Sequence, residues 1–357
     1  METDILVVGG GLAGLSLASQ LHQSGSDYRL IEMQDRLGGR ILTAELSGGS
    51  FDLGPAWFWP GQPRMAALVK RFGIQVFEQY AAGDLVFQDQ TGAVQRGRGF
   101  ASMQGSYRVA GGMEMLTRAL AQSLTADALI VGAGLTTLVQ TQDGVLATLS
   151  DGRTLRASKV VLAIPPRVVA QTIAFDPPLS SAQMRRMQDI PTWMAGQAKI
   201  IATYDKPYWR NAGLSGDAMS QHGPMVEIHD ASLVSGGPYA LFGFVGVPAD
   251  IRETRKSDVM QMAVDQLVAL FGNDLKSPLD VVLQDWATLP MIARPADRAA
   301  LRSHPSYGLP ASLRNLWEGA LHLSSTETAA GFGGYLEGAL EAAEQTANLL
   351  VQPAAAP

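Results

Sequence analysis

Four apolar residues, Ile5-Leu6-Val7-Val8, run without a break into Gly9-Gly10-Gly11-Leu12-Ala13-Gly14. No other stretch of the chain restricts the fold as much. An apolar run without alternation suits a strand buried on both faces of a parallel sheet. Leu15, Ala18 and Leu21 then recur at helical spacing. A second strand is predicted over Tyr28 to Glu32, so that Glu32 ends it 18 residues past Gly14. Gly-x-Gly-x-x-Gly between strand and helix, with an acid ending the next strand, is the setting in which a dinucleotide rests its pyrophosphate on a helix N-terminus. Gly9 would make the tight turn and Gly11 admit the phosphates. Gly14 would let helix pack on strand, with Leu12 and Ala13 opening the helix. Glu32, followed by Met33, would accept from ribose hydroxyls.

A second glycine pair lies just beyond, in Arg36-Leu37-Gly38-Gly39-Arg40. Gly38 and Gly39 permit close backbone approach, and Arg40 can pair with a phosphate through two N–H groups. Val131-Gly132-Ala133-Gly134 looks similar, but Thr137 stands where a third glycine would be, and a strand follows rather than a helix. It is read as a turn.

Bulk properties narrow the function. Cysteine is absent, which excludes disulfides, thiolate metal sites and any cofactor bonded through sulfur. The net charge of -6 gives no reason to expect a nucleic-acid or anionic-membrane partner. The five histidines show no metal-ligand spacing, so no metal is expected. No apolar run approaches membrane-spanning length, and a cytoplasmic location is expected.

The remaining chain alternates between textures. Residues 64–73 read as a helix ended by Gly73, and Val160 to Ile164 as a buried strand stopped by Pro165-Pro166. Strands of mixed or antiparallel character follow at Ala198 to Tyr204 and in "GPMVEIHD" and "YALFGFVGV". The predicted fold class is α/β. A Rossmann-like FAD-binding domain with a parallel sheet takes 1–77, 108–164 and 284–350. A substrate domain with a mixed or antiparallel sheet, inserted in two pieces, takes 78–107 and 165–283. A flexible tail is expected over 351–357.

With these residues in hand, the chain resembles the flavin-containing amine oxidase family, which includes monoamine oxidases and L-amino acid oxidases. The matches keep the family's order: "VVGGGLAGL", the glutamate and "RLGGR", "FDLGPAW", "VAGGMEML", "VVLAIPP", "AKIIATYDKPYW", Asp285-Trp286 and "STETAAGFGGYLEGALEAAE". The resemblance implies non-covalent FAD. Gly54, Pro55, Ala56 and Trp57 would line its ring, and Leu135 its adenine. Lys199 corresponds to the family's lysine near flavin N5, and Tyr335 to an aromatic beside the substrate amine. Glu327, Gly334, Tyr335 and Leu336 would complete the cofactor site, with the Leu336 N–H and its helix N-terminus aimed at the ring's pyrimidine edge. Glu337 fits that first turn for the same dipole reason.

The chain also departs from the family. It is shorter, mostly between Glu78 and Tyr107, and a second aromatic wall residue falls at Ala296 beside Arg294. Three functions therefore fit. One is FAD-dependent oxidation of a C–N bond of a small amine or amino acid, with hydride to N5 and dioxygen giving peroxide. Another is a related desaturase, dehydrogenase or NAD(P)H-using enzyme with another acceptor. The third is a non-catalytic FAD-binding protein. Arg294 or Arg108 could meet a substrate carboxylate. Trp57, Met225, Phe242 and Phe244 are expected near the substrate, favouring an apolar group beside the amine.

Overall fold

The computed structural model describes residues 2–301 and 303–351. Nearly all of the expected tail lies outside them. In chain order, the elements that place the site begin with β1 (Glu2–Val8), α1 (Leu12–Gln23), β2 (Tyr28–Glu32) and α2 (Pro63–Phe72). Next come β3 (Thr154–Leu162), β4 (Ala198–Tyr204), β5 (Leu214–Ser220) and β6 (Met225–Asp230). The last are β7 (Tyr239–Val245), β8 (Val281–Asp285), β9 (Leu321–Leu323) and α3 (Leu336–Leu350).

β1 explains the first layer. Its residues alternate between two cores on opposite faces of one sheet. Ile5 and Val7 pack with α1 and α3, and Leu6 and Val8 pack on the other side with β3 and Ile31. A strand covered on both faces needs an apolar residue at every position, which is what Ile5 to Val8 supply. β1 lies parallel to β2 and β3, and β9 pairs parallel with β3. Val8 therefore stands beside Ile31 and Leu162, and the C-terminal ends of the parallel strands open on one side. Open parallel sheets bind ligands at that edge. The hairpin turned at Asp151-Gly152 adds Gly144–Leu149 to β3, and Leu135–Thr141 extends it. Ala174–Asp176, beyond the proline pair, still joins this sheet, so the chain leaves it later than Pro165-Pro166 suggested.

The second sheet runs β8, β4, β7, β6, β5, Asp84–Gln88, Val94–Gly97. In β4, Ala198, Ile200 and Ala202 enter a core shared with the 256–271 helix, while Ile201 enters another with Phe51, Leu53 and Phe242. Lys199 shares the face of Ile201, which is turned toward the first sheet's ligand edge. Among the described residues no helix is long and apolar enough to cross a membrane.

Candidate functional site

A cleft of about 620 Å³ runs along the strand ends. At one end α1 begins at Gly11 with no side-chain cap. Gly9 holds φ 110°, and a Cβ on Gly14 would stand 1.9 Å from the Gly9 carbonyl oxygen. Only glycine fits either position. A Cβ on Gly11 would meet nothing closer than 3.9 Å, because that residue faces open cleft. Gly9, Gly11, Leu12 and Ala13 line the space; Gly14 lies behind it as the packing glycine. Glu32 and Met33 form the next wall, with Leu135 opposite. The Glu32 carboxylate accepts from Gly10 N at 2.7 Å and Gln34 N at 2.9 Å, which fixes it at the end of β2.

The Arg36–Arg40 loop divides its labour. Gly38, Gly39 and Arg40 line the cleft. Arg36 does not: its guanidinium donates to the carbonyls of Leu37, Gly39 and Ile41 and staples the loop from behind. Arg40 donates to Glu327 Oε1 at 2.7 Å and to the Trp193 carbonyl at 3.3 Å. Glu327 is fully buried beneath it, off the cleft surface, with Oε2 unpaired.

At the other end, backbone from Gly54 to Trp57 meets β4. Lys199 is 3% exposed, and its Nζ donates to the carbonyl oxygens of Asp52 (3.0 Å) and Gly54 (2.6 Å). Nζ also lies 4.3 Å above the Phe242 ring. Burial lowers the Lys199 pKa from 10.5 to about 7, opposed by Asp52 and assisted by Arg108. A lysine that titrates near neutrality in a cleft is a candidate for proton chemistry. Trp57 packs edge-on to His229 and tilted against Phe242, and donates from Nε1 to Gln79.

Tyr335 caps α3, whose N-terminus also lacks a side-chain cap, and Gly334, Tyr335 and Leu336 line the cleft. Two uncapped helix starts thus face one cavity, each carrying partial positive charge. Tyr335 stacks on His304 at 5.0 Å and meets Trp59 edge-on at 6.4 Å. Trp59 and Trp193, distant in sequence, also line the cleft, and Trp193 is edge-on to His304 at 4.6 Å.

Other expectations change. Glu337 lies in the first turn of α3, as expected, and has a second task. Its carboxylate accepts from Arg64 N (3.0 Å) and Met65 N (2.8 Å), capping α2 across the domain. Arg108 is buried, donates to the carbonyls of Ser232 and Ala231, and cannot reach a substrate. Arg294 lines the cleft but spends Nε on Gln171. Met225 faces the core on the other side of the sheet, and Phe242 stands behind Trp57; only Trp57 and Phe244 of the expected four line the cleft.

Sequence reasoning missed Ser325. It is 2% exposed on the cleft wall, and its hydroxyl has no partner. A buried hydroxyl without a partner is costly unless a ligand supplies one. The Gly11–Gly14 cradle, the two uncapped helix starts, the acid ending β2 and this hydroxyl suit a long ligand with phosphates and sugar hydroxyls between two ring systems. FAD has that form.

Comparison with known proteins agrees. A model of the family "Flavin containing amine oxidoreductase" matches residues 90–351, and one for an "NAD(P)-binding Rossmann-like domain" matches residues 7–72. A putative flavin-containing monoamine oxidase of Mycobacterium tuberculosis is 26% identical, over 96% of this chain and 95% of its own length. Putrescine oxidase with putrescine bound superimposes with TM-score 0.84 at 20% identity, covering 99% of this chain and 100% of that one. Cyclohexylamine oxidase from Brevibacterium oxydans gives TM-score 0.85 at 17% identity, with 99% of both chains covered.

Proposed function

The chain belongs to the flavin-containing amine oxidoreductase family and is an FAD-dependent oxidoreductase; from that premise we propose that it is an oxidase of small primary amines that uses dioxygen as the electron acceptor. Non-covalently bound FAD would supply the hydride acceptor for the carbon beside the amine nitrogen and the route for its electrons to dioxygen, with imine and hydrogen peroxide as products. The chain's own residues bind, orient and exclude water. Gly11 and the start of α1 receive the phosphates, Arg40 adds a charged donor, and Glu32 takes ribose hydroxyls. Leu336 N–H and the start of α3 favour negative charge at the ring edge.

What supports the substrate-side reading is that Lys199, Trp57, Phe244 and Tyr335 all line the cleft, with Lys199 Nζ 5.8 Å and the Trp57 ring 6.4 Å from the Phe244 ring. Lys199 Nζ, neutral above about pH 7, can hold or release a proton there, and its carbonyl bonds fix Gly54 against β4. Tyr335 and Trp59 form an aromatic corner for the amine. We also propose that the first sheet carries the cofactor and the second the substrate. Anaerobic mixing with a panel of amines tests the function. The flavin absorbance should bleach, and admitting air should restore it with one peroxide per turnover. Bleaching that air does not reverse would point instead to a dehydrogenase with another acceptor.

A further inference from the structure

Residues 97–105 form a strap that leaves the second sheet and ends just before Tyr107. It contributes one residue to the cleft wall, Met103. Gly97 opens the strap, paired with Leu85 at the end of its hairpin, and Gly105 closes it at φ 80°. A Cβ on either glycine would meet nothing within 4 Å. Glycines in open space let a segment swing on its ends.

Two anchors place Met103. On one side Ser102 Oγ donates to Glu227 Oε1 at 2.8 Å, the only side-chain hydrogen bond among the described residues that residues 98–105 send outside the strap. Glu227 is itself fixed: His229 Nε2 lies 3.0 Å from the same oxygen, and His229 Nδ1 lies 2.6 Å from Asp217 Oδ1. Glu227 stays off the cleft, but its partner across the sheet is Phe244, which lines it. On the other side the Met103 carbonyl accepts from Ser106 N at 3.1 Å and Ser106 Oγ at 2.7 Å. Ser106 O accepts from Gln79 N at 2.9 Å, and Gln79 Oε1 accepts from Trp57 Nε1 at 2.8 Å. Met103 therefore hangs between an anchor beside Phe244 and one beside Trp57. The two aromatic neighbours are held by the sheet and by Gln79, whereas Met103 sits on a segment whose Phe100 is 75% exposed. An unbranched thioether on such a segment is the adaptable part of this wall.

We propose that Met103 is a specificity-determining residue, whose side chain closes the substrate end of the cleft and sets how much apolar bulk an amine can carry beyond its reacting carbon. Ser102 and Glu227 are positioning residues that hold the strap down, with His229 and Asp217 fixing Glu227. The proposal rests on the amine-oxidising reading and deepens it: Met103 reads the apolar end of the substrate, not its nitrogen.

The test measures anaerobic flavin reduction by linear alkylamines from propyl to octyl in the wild type, Met103→Ala and Met103→Trp. Met103→Ala should move the best chain length up and raise kcat/KM for longer amines relative to shorter ones by about ten-fold. Met103→Trp should move both the other way. A purely structural role would lower all amines alike and leave the length profile in place. Ser102→Ala should keep Tm, flatten the length profile, and speed chymotrypsin cleavage after Phe100 by about five-fold, since one hydrogen bond holds the strap. The proposal is overturned if both Met103 variants keep the wild-type profile, and the anchoring role is overturned if Ser102→Ala changes neither profile nor cleavage. If no amine reduces a flavin that dithionite still bleaches, the amine reading itself falls, and the proposal with it.

Discussion

The cleft has two glycine-rich helix starts, and they are built differently. At α1 the turn is shaped by backbone. Gly38 N donates to the Gly10 carbonyl at 2.8 Å, Gly9 N to Ile31 at 2.8 Å, and the only side chain that ties the turn is Glu32. At α3 a buried acid and a threonine do the shaping. Glu341 accepts from Gly331 N and Phe332 N, both at 3.0 Å, while Thr326 Oγ1 donates to the Tyr335 carbonyl at 2.7 Å. Gly333 is small because Tyr307 and the Ala329 carbonyl leave no room; Gly334, at φ 86°, is the member that faces the cleft. Glycine thus marks close approach to the protein at both starts, and at the first Gly11 alone faces open cleft.

The largest effect expected from this contrast is at Gly14. A valine there would push its Cβ into the Gly9 carbonyl, 1.9 Å away, with no side chain able to yield. The cost is at least ~3 kcal/mol. Gly14→Val should give little folded protein, and any that survives should be colourless; a yellow protein with an unchanged Tm would remove the backbone account of the first start. Next is Glu337→Ala at the second. It strips α2 of two N–H acceptors and leaves Arg64 with Glu344 alone. A loss of ~2–4 kcal/mol should appear as a lowered urea midpoint with an unchanged m-value. Gly11→Ala should separate ligand approach from packing. Its Cβ meets no protein atom within 3.9 Å, so the apoprotein Tm should hold while FAD affinity falls about ten-fold, ~1.4 kcal/mol. Equal losses in both would mean that Gly11 is a packing glycine after all.

The first start was legible in the sequence because every contact that defines it is local or comes from the adjacent strands. β2 falls at Tyr28 to Glu32 as the periodicity predicts. The second was only half legible. The helix and its buried stripe were readable, but a local rule gave Glu337 to its own helix alone, and the N–H groups it caps lie 273 and 272 residues away. Arg36 is the opposite case: expected among the cofactor-binding residues, it donates instead to loop carbonyls within five residues. On β6 the chain is irregular between Met225 and Glu227, and Met225, expected near the substrate for its bulk, packs into the core instead. The aromatic cluster around Tyr335 was invisible for a related reason. Trp59, Trp193 and His304 sit on separate loops, and no spacing links them.

The last predicted effect, smallest per pH unit, sharpens the contrast through pH. The α1 end has no buried lysine, whereas the opposite end depends on Lys199, whose folded pKa is about 7 against an ordinary 10.5. Below pH 7 the lysine is protonated in both folded and unfolded chains, and the penalty for burying its charge is constant. Between pH 7 and 10.5 the folded form has released its proton and the unfolded form has not, so raising the pH favours folding. The gain is at most ~1.4 kcal/mol per pH unit. Lys199→Met removes the titration and keeps most of the volume. At pH 6 the variant should be the more stable protein, since it buries no charge, and its advantage should shrink steadily as the pH rises from 7 to 9. Thermal melts of the two proteins side by side measure this, with Gly11→Ala as the control that should not drift against wild type. A wild-type-to-variant difference that stays flat from pH 6 to 9 would mean that Lys199 keeps its proton throughout. Its bonds to the Asp52 and Gly54 carbonyls would then be those of a permanent ammonium, and the lysine would act only as a clasp between β4 and the 52–54 backbone.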